Sequence, residues 1–153
     1  MIAAQATVVL ATIAAVGVCV LAQYEALVFT WKWVSRHRGH KRVKVLYAIL
    51  SIIALHVVEI WIFGVVIWAL VQWPAAGSLY GPDEATLLEC VYLSAITFST
   101  VGFGDVAPVG AIRFLAGTEA LTGFVLITWS ASFTYLEMER FWRADDMDSR
   151  RRK

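Results

Sequence analysis

The stretch Thr97 to Asp105, TFSTVGFGD, decides how the rest of the chain is read. Thr100, Val101, Gly102 and Phe103 present one hydroxyl followed by consecutive carbonyl oxygens, provided the chain runs extended with every C=O turned to one side. L-residues resist that arrangement because alternate positions need φ > 0. Gly102 and Gly104 fall at alternate positions and have no Cβ to clash there. Several such strands around one axis would stack rings of oxygen that replace the water around a dehydrated cation. Taken alone, the string also suits a Gly-rich turn in an unrelated protein. What flanks it separates the two readings.

Upstream, Pro82, Asp83 and Glu84 open a segment that predicts a helix over 82–98, with proline in the first turn and acids at the positive end. That helix is too short to cross a bilayer, so it is expected to be re-entrant and shielded from lipid by protein. Its C-terminal end, carrying roughly half a negative charge, then points at the membrane centre. Downstream, VAPVGAIR returns the chain over the outer surface to a long apolar helix over 111–142. Gly117, Gly123, Ser130, Ala131 and Ser132 make this helix rich in small residues, as close helix packing in membranes prefers. Arg113 at its start either pairs with an acid of the pore-helix segment or snorkels.

Composition agrees with a membrane setting. The chain is 59% hydrophobic, only 16% charged, and has a mean hydropathy of +0.68. Six of thirteen basic residues lie between Lys32 and Lys44, and six more between Arg140 and Lys153. From Pro74 to Ile112 there is no Lys or Arg, but Asp83, Glu84, Glu89 and Asp105 are present. The positive-inside rule therefore turns both basic clusters to the cytoplasm and the acidic stretch outward. Cys19 and Cys90 sit in apolar helical sequence and are expected to pack rather than to bridge. The start, MIAAQAT, lacks the basic n-region of a signal peptide, and the apolar run after it reads as a retained span.

The organisation is then an N-terminal spanning helix over 1–34, a basic cytoplasmic loop over 35–44, a larger membrane unit over 45–142 and a charged, disordered tail over 143–153. Within that unit, a helix over 45–73 precedes a loop over 74–81, the helix over 82–98, the Gly-rich segment over 99–105 and the helix over 111–142. Glu25 near the inner end of the first helix is placed to pair with Lys32 or Arg36. The basic loop, which holds His37, Gly39 and His40, suits anionic lipid headgroups better than nucleic acid. His56 and Glu59, three residues apart on one face of the second span, form either a functional ionisable pair or a mutually hydrogen-bonded one. Two such ligands are too few for a metal site.

With the pore helix before it and the apolar helix after it, TFSTVGFGD matches the T-x-x-T-x-G-[Y/F]-G-D signature, and the chain from about Val45 to Trp142 resembles the tetrameric potassium channel pore module. The resemblance implies an all-α membrane protein with three transmembrane helices, a re-entrant pore helix and a selectivity filter per subunit: 45–142 becomes the pore domain, with outer helix 45–73, turret 74–81, pore helix 82–98, filter 99–105 and inner helix 111–142, and 1–34 an extra N-terminal helix. It implies a homotetramer around a central pore, in a cell's inner (plasma) membrane, with the N-terminus outside and the C-terminus cytoplasmic. It places K⁺ on Thr100, Val101, Gly102, Phe103 and Gly104, and makes Asp105 the outer end of the filter, bonded by Tyr92 and supported by Thr97. It implies no organic cofactor.

Phe103 replaces the family's usual filter tyrosine, and Leu93 stands at the usual aromatic partner position, so apolar packing is expected between them. Ile96 stands where some relatives place a carboxylate behind the filter. Gly123 falls at the hinge position, and helical spacing puts Ile127, Ala131 and Tyr135 on its face, towards cavity and gate. Glu119 either helps to hold cations or bonds the back of the pore helix through Thr97 or Ser99.

The first helix carries no Arg ladder and is not a voltage sensor. Only eleven residues follow Trp142, so gating is expected from the embedded part, with His56, Glu59 and Glu119 as candidate proton-sensing groups. No nucleophile with a base and an orienting partner can be assembled, which argues against an enzyme. Two other readings stand beside the potassium channel. One is a nonselective cation channel; the other is a non-conducting accessory subunit or transporter half.

Overall fold

The computed structural model describes residues 2–36 and 41–151. Their order is α1 (Ile2–Arg36), α2 (Lys41–Val71), β1 (Gly77–Tyr80), α3 (Leu87–Phe98), β2 (Ala107–Gly110) and α4 (Ile112–Arg151). Among the described residues three helical segments are long and apolar enough to cross a membrane: Ile2–Val34, Val43–Val71 and Ile112–Arg140. The short α3 lies between the second and third. His37, Gly39 and His40 lie outside the described residues.

Side-chain contacts give the relative directions of the helices. Cys19 meets the Glu59 carbonyl and Trp33 stacks on Tyr47, so α1 and α2 run antiparallel. Gln23 reaches Leu126 and Ser130, and these two contacts tie α1 to α4. Ser94 reaches the Ile60 carbonyl, and a Cβ on Gly64 would lie 2.7 Å from Val91 Cα, so α3 runs against α2. Ser94 also meets Glu119, while Phe98 lies against Gly123, so α3 and α4 run the same way. One core joins Cys19 of α1, Phe63 and Ile67 of α2, Leu93 and Phe98 of α3, and Leu126 of α4. Cys19 and Cys90 are both buried within it as free thiols.

Three boundaries differ from the sequence expectation. The helix expected from Pro82 begins at Leu87, leaving Pro82, Asp83 and Glu84 in the approach to it. Thr86 is the cap, and its hydroxyl accepts a hydrogen bond from the Glu89 amide. A threonine oxygen satisfies an orphan helix N–H, which proline cannot do, and T-L-L-E has the capping-box spacing. The turret is not wholly loop, because β1 pairs antiparallel with β2 from Gly77↔Gly110 to Tyr80↔Ala107. This two-stranded clasp joins the two ends of the segment that contains α3 and the filter. The tail expected to be disordered continues α4 as helix to Arg151. Acid–base pairs at helical spacing support its start, Glu137 with Arg140 at 3.0 Å and Glu139 with Arg143 at 2.6 Å.

Two expected ion pairs do not form. Among the described residues Glu25 pairs with neither Lys32 nor Arg36, and Arg113 pairs with no acid. Both Glu25 and Arg113 are exposed on the single chain.

Candidate functional site: a pore loop and its supports

The filter segment leaves α3 through a tight turn. Ser99 N–H donates to the Ala95 carbonyl, Thr100 N–H to Thr97 and Gly102 N–H to Ile96. The last-turn carbonyls that the helix itself leaves unpaired are thus partly satisfied by the filter strand. This differs from a bare negative end aimed into the membrane, because the chain doubles back over it at once.

Thr100, Gly102 and Gly104 have φ of 59°, 55° and 83°. The left-handed residues therefore alternate through the segment, and one of them is not glycine. A left-handed L-residue costs roughly 1–2 kcal/mol, so Thr100 stores strain that the motif alone did not announce. Val101 and Phe103 are 55% and 72% exposed. Leu93 is 2% exposed in the core, so a single chain does not bury Phe103 against it as the sequence suggested. Ile96 is likewise buried beneath the turn.

Tyr92 donates its hydroxyl to Asp105 Oδ2 at 2.7 Å. The other oxygen of Asp105 accepts from Val106 N–H at 3.1 Å. Chiefly through the tyrosine bond, the Asp105 carboxyl is held below the usual carboxylate range. Beside this pair, Gly81, Pro82, Glu89 and Val106 complete an open cleft of about 550 Å³.

Behind the filter, two contacts lock α3 to α4. Glu119 is fully buried and bonds Ser94, not Thr97 or Ser99, so it faces the pore helix one turn earlier than the sequence suggested. Thr97 instead offers its carbonyl to Thr100. One turn further along α4, a Cβ on Gly123 would lie 2.1 Å from the Phe98 carbonyl oxygen. Gly123 is therefore a point of contact with α3 and does not share an open face with the expected gate residues. The reason is rotation: each four-residue step turns a helix about 40° past one full circle. Ile127, Ala131 and Tyr135 have turned away from α3 and line an open groove of about 470 Å³ between α2 and α4, where His56 also lies.

His56 Nδ1 and Glu59 Oε2 are 2.7 Å apart, the mutual pairing weighed from the sequence. Glu59 is fully buried, and the His56 ring lies 5.8 Å from Phe98 at the end of α3. His56 thus lies beside Phe98 at the end of α3, and Glu119 beside Ser94 one turn earlier.

Sequence reasoning missed two residues of this arrangement. Ser94 is one of them, a small hydroxyl on the buried side of an apolar helix. Gln23, near the end of the uncharged run of the first span, is the other. It is fully buried, and its amide donates to the Leu126 carbonyl at 3.3 Å and to Ser130 Oγ at 2.7 Å. An amide deep in a largely apolar span was the available signal.

Comparison with known proteins matches the profile described as "Ion channel" to residues 55–138, more than half of the chain. Protein LctB of Geobacillus stearothermophilus is 36% identical over 67 residues, covering 44% of this chain and 50% of the relative. Protein LctB of Bacillus caldotenax is 47% identical over 45 residues, covering 29% and 34%. The chain thus spans half or less of the curated relatives it matches. No solved structure matches. The matched region runs from within α2 to within α4, contains the whole pore loop and leaves out α1. The chain belongs to the ion channel family of the two-transmembrane pore type, with one apolar helix added at its N-terminal end.

Proposed function

We propose that four copies of this chain assemble into a potassium-selective channel, with K⁺ passing along the oxygens of Thr100, Val101, Gly102 and Phe103. The observation that carries this reading is the alternating left-handed backbone at Thr100, Gly102 and Gly104 in a TVGFG segment suspended from a re-entrant helix. Such alternation favours turning successive carbonyls to one side, and carbonyls in stacked rings are the chemistry that replaces a K⁺ hydration shell. The same geometry supports an assembly of several copies, since one strand supplies only one oxygen to each ring.

The proposed setting is a multi-pass membrane protein with both basic clusters in the cytoplasm and the acidic pore-loop stretch outside. The basic segment between α1 and α2 then meets anionic headgroups. Tyr92 and Asp105 brace the outer end of the filter. Ile127, Ala131 and Tyr135 lie on the cytoplasmic half of α4, where a constriction would gate the path. The absence of any assembled catalytic group in the sequence keeps this a conduction site and not an enzyme.

Purified chain in liposomes, assayed under bi-ionic conditions, is expected to pass K⁺ in strong preference to Na⁺. Gly102→Ala, which puts a Cβ on a left-handed residue, is expected to abolish that flux or the assembly itself. Equal passage of the two ions would replace the selective reading with a nonselective cation channel. No passage of either would leave an accessory subunit.

A further inference from the structure

Ser94 sits where three helices meet, and the count of protons there is restrictive. A serine hydroxyl has one proton to give and two lone pairs to offer. Ser94 Oγ is 2.8 Å from the Ile60 carbonyl oxygen of α2 and also within hydrogen-bond distance of Glu119 Oε1 on α4. The carbonyl can only accept, so the contact with Ile60 consumes the serine proton. The contact with Glu119 then needs a proton from the carboxyl. Were Glu119 ionised, the serine would turn its proton to the carboxylate and leave two acceptors facing each other across 2.8 Å at Ile60.

The surroundings agree with this count. Ser94 and Glu119 are both fully buried, and Glu119 Oε2 has no hydrogen-bond partner. Among the described residues no Lys, Arg or His pairs with Glu119. The titratable groups from the packed elements are Cys19 of α1 and the His56–Glu59 pair of α2, and His56 is already engaged with Glu59. From α3 only Ser94 meets it. An unpaired carboxylate sealed from water with no cation and one free oxygen is a costly arrangement, whereas a carboxylic acid fits.

We propose that Glu119 is a protonated positioning residue, a carboxylic acid that donates to Ser94 and through it to the Ile60 carbonyl. One relayed pair of hydrogen bonds then straps the outer helix, the pore helix and the inner helix together. The strap lies one turn above the contact of Phe98 with Gly123, so the two fix the depth and tilt of α3. The filter hangs from the end of α3, and the strap thereby sets the height of the lowest oxygen rings. This extends the channel reading for its flux consequence, while the proton inventory stands independently of conduction.

The test is infrared spectroscopy of the full chain in lipid at neutral pH, with isotope-labelled glutamate. The parent is expected to show a protonated-carboxyl stretch that is absent from Glu119→Gln and shifted in Ser94→Ala. Glutamine keeps a donor for Ser94, so Glu119→Gln should retain K⁺ flux close to that of the parent. Glu119→Met has similar length and no donor, and should lose roughly tenfold, the factor that one buried hydrogen bond left unmade is worth. Only ionised-carboxylate bands from the parent, or an equal loss of flux in the Gln and Met variants, would overturn the proposal. A parent that carries the band but passes no K⁺ would support the proton assignment and sink the channel reading alone. If Glu119→Met fails to fold, the parent's band with and without Ser94 still decides.

Discussion

Tyr92 and Asp105 show what a single pair of side chains contributes. The phenol hydrogen bond, 2.7 Å long, holds the aspartate below the usual carboxylate range and ties the outer end of the filter to the pore helix. A carboxyl whose pKa is depressed on folding stabilises the folded state above its unfolded value, and that contribution is lost as pH falls through the folded one. The tie is therefore intact at neutral pH and loosens only in acid, below the ordinary aspartate range. Tyr92→Phe removes the largest cause of the depression. Carboxyl NMR is expected to show Asp105 titrating at higher pH in that variant, nearer the ordinary value of about 3.9. An unshifted titration would mean that the backbone bonds at Asp105 and Val106 hold the carboxylate by themselves. Thr100 belongs to this scale as well, since its left-handed backbone is held by the Thr97 carbonyl and the turn around it.

At the scale of elements, the meeting of α3 with α4 matters most. Glycine at position 123 lets the inner helix approach the Phe98 backbone so closely that no side chain fits between them. The obstructing atom is a backbone carbonyl oxygen, which cannot swing aside as a flexible side chain would. Gly123→Ala is expected to destabilise the folded chain by about 1–3 kcal/mol, the usual cost of overpacking. Gly117→Ala, on the same helix with open space around the added carbon, should be neutral or slightly stabilising through helix propensity. Thermal unfolding in detergent compares the two. A hinge role for Gly123 without the contact would leave both variants equally stable and alter only conduction. The added helix α1 is also an element of consequence, because Gln23 grips α4 at Leu126 and Ser130, just below this contact. The inner helix is thus held from two sides.

For the whole molecule, charge is the property that emerges on assembly. Asp83, Glu84, Glu89 and Asp105 occur once per chain, so the proposed assembly of four copies would set sixteen acids around one axis. Asp83 and Glu84 lie in the approach to α3 and not in its first turn, so they are exposed mouth charges and contribute less to the helix itself. Neutralising both is expected to lower conductance mainly at low ionic strength, because their field is screened over about 10 Å at 0.1 M salt. Single-channel conductance against K⁺ concentration measures this. An equal loss at high salt would assign them a structural part in the turn before Thr86. The β1–β2 clasp frames the same mouth by tying the segments on either side of the pore loop together.

The chain's own residues determined the class of fold and the place of the pore loop between its second and third spans. Long apolar runs can satisfy their backbone in lipid only as helices, and alternate glycines mark a backbone that other residues resist. Composition and local spacing therefore carried the spans, the short helix and the TVGFG segment. Boundaries followed local chemistry that was legible and overlooked, as at Thr86, where a cap outweighs a proline. What only the tertiary structure decided is which polar side chains meet. Glu119 reaches Ser94 across 25 positions and Gln23 reaches Ser130 across 107, and no periodicity encodes such distances. Gly123 looked like a hinge from its position, yet the packing of Phe98 against it makes it a contact. A helix rotates about 100° per residue, so which neighbour a face meets is set by how the helices cross, and that is a property of the packed molecule.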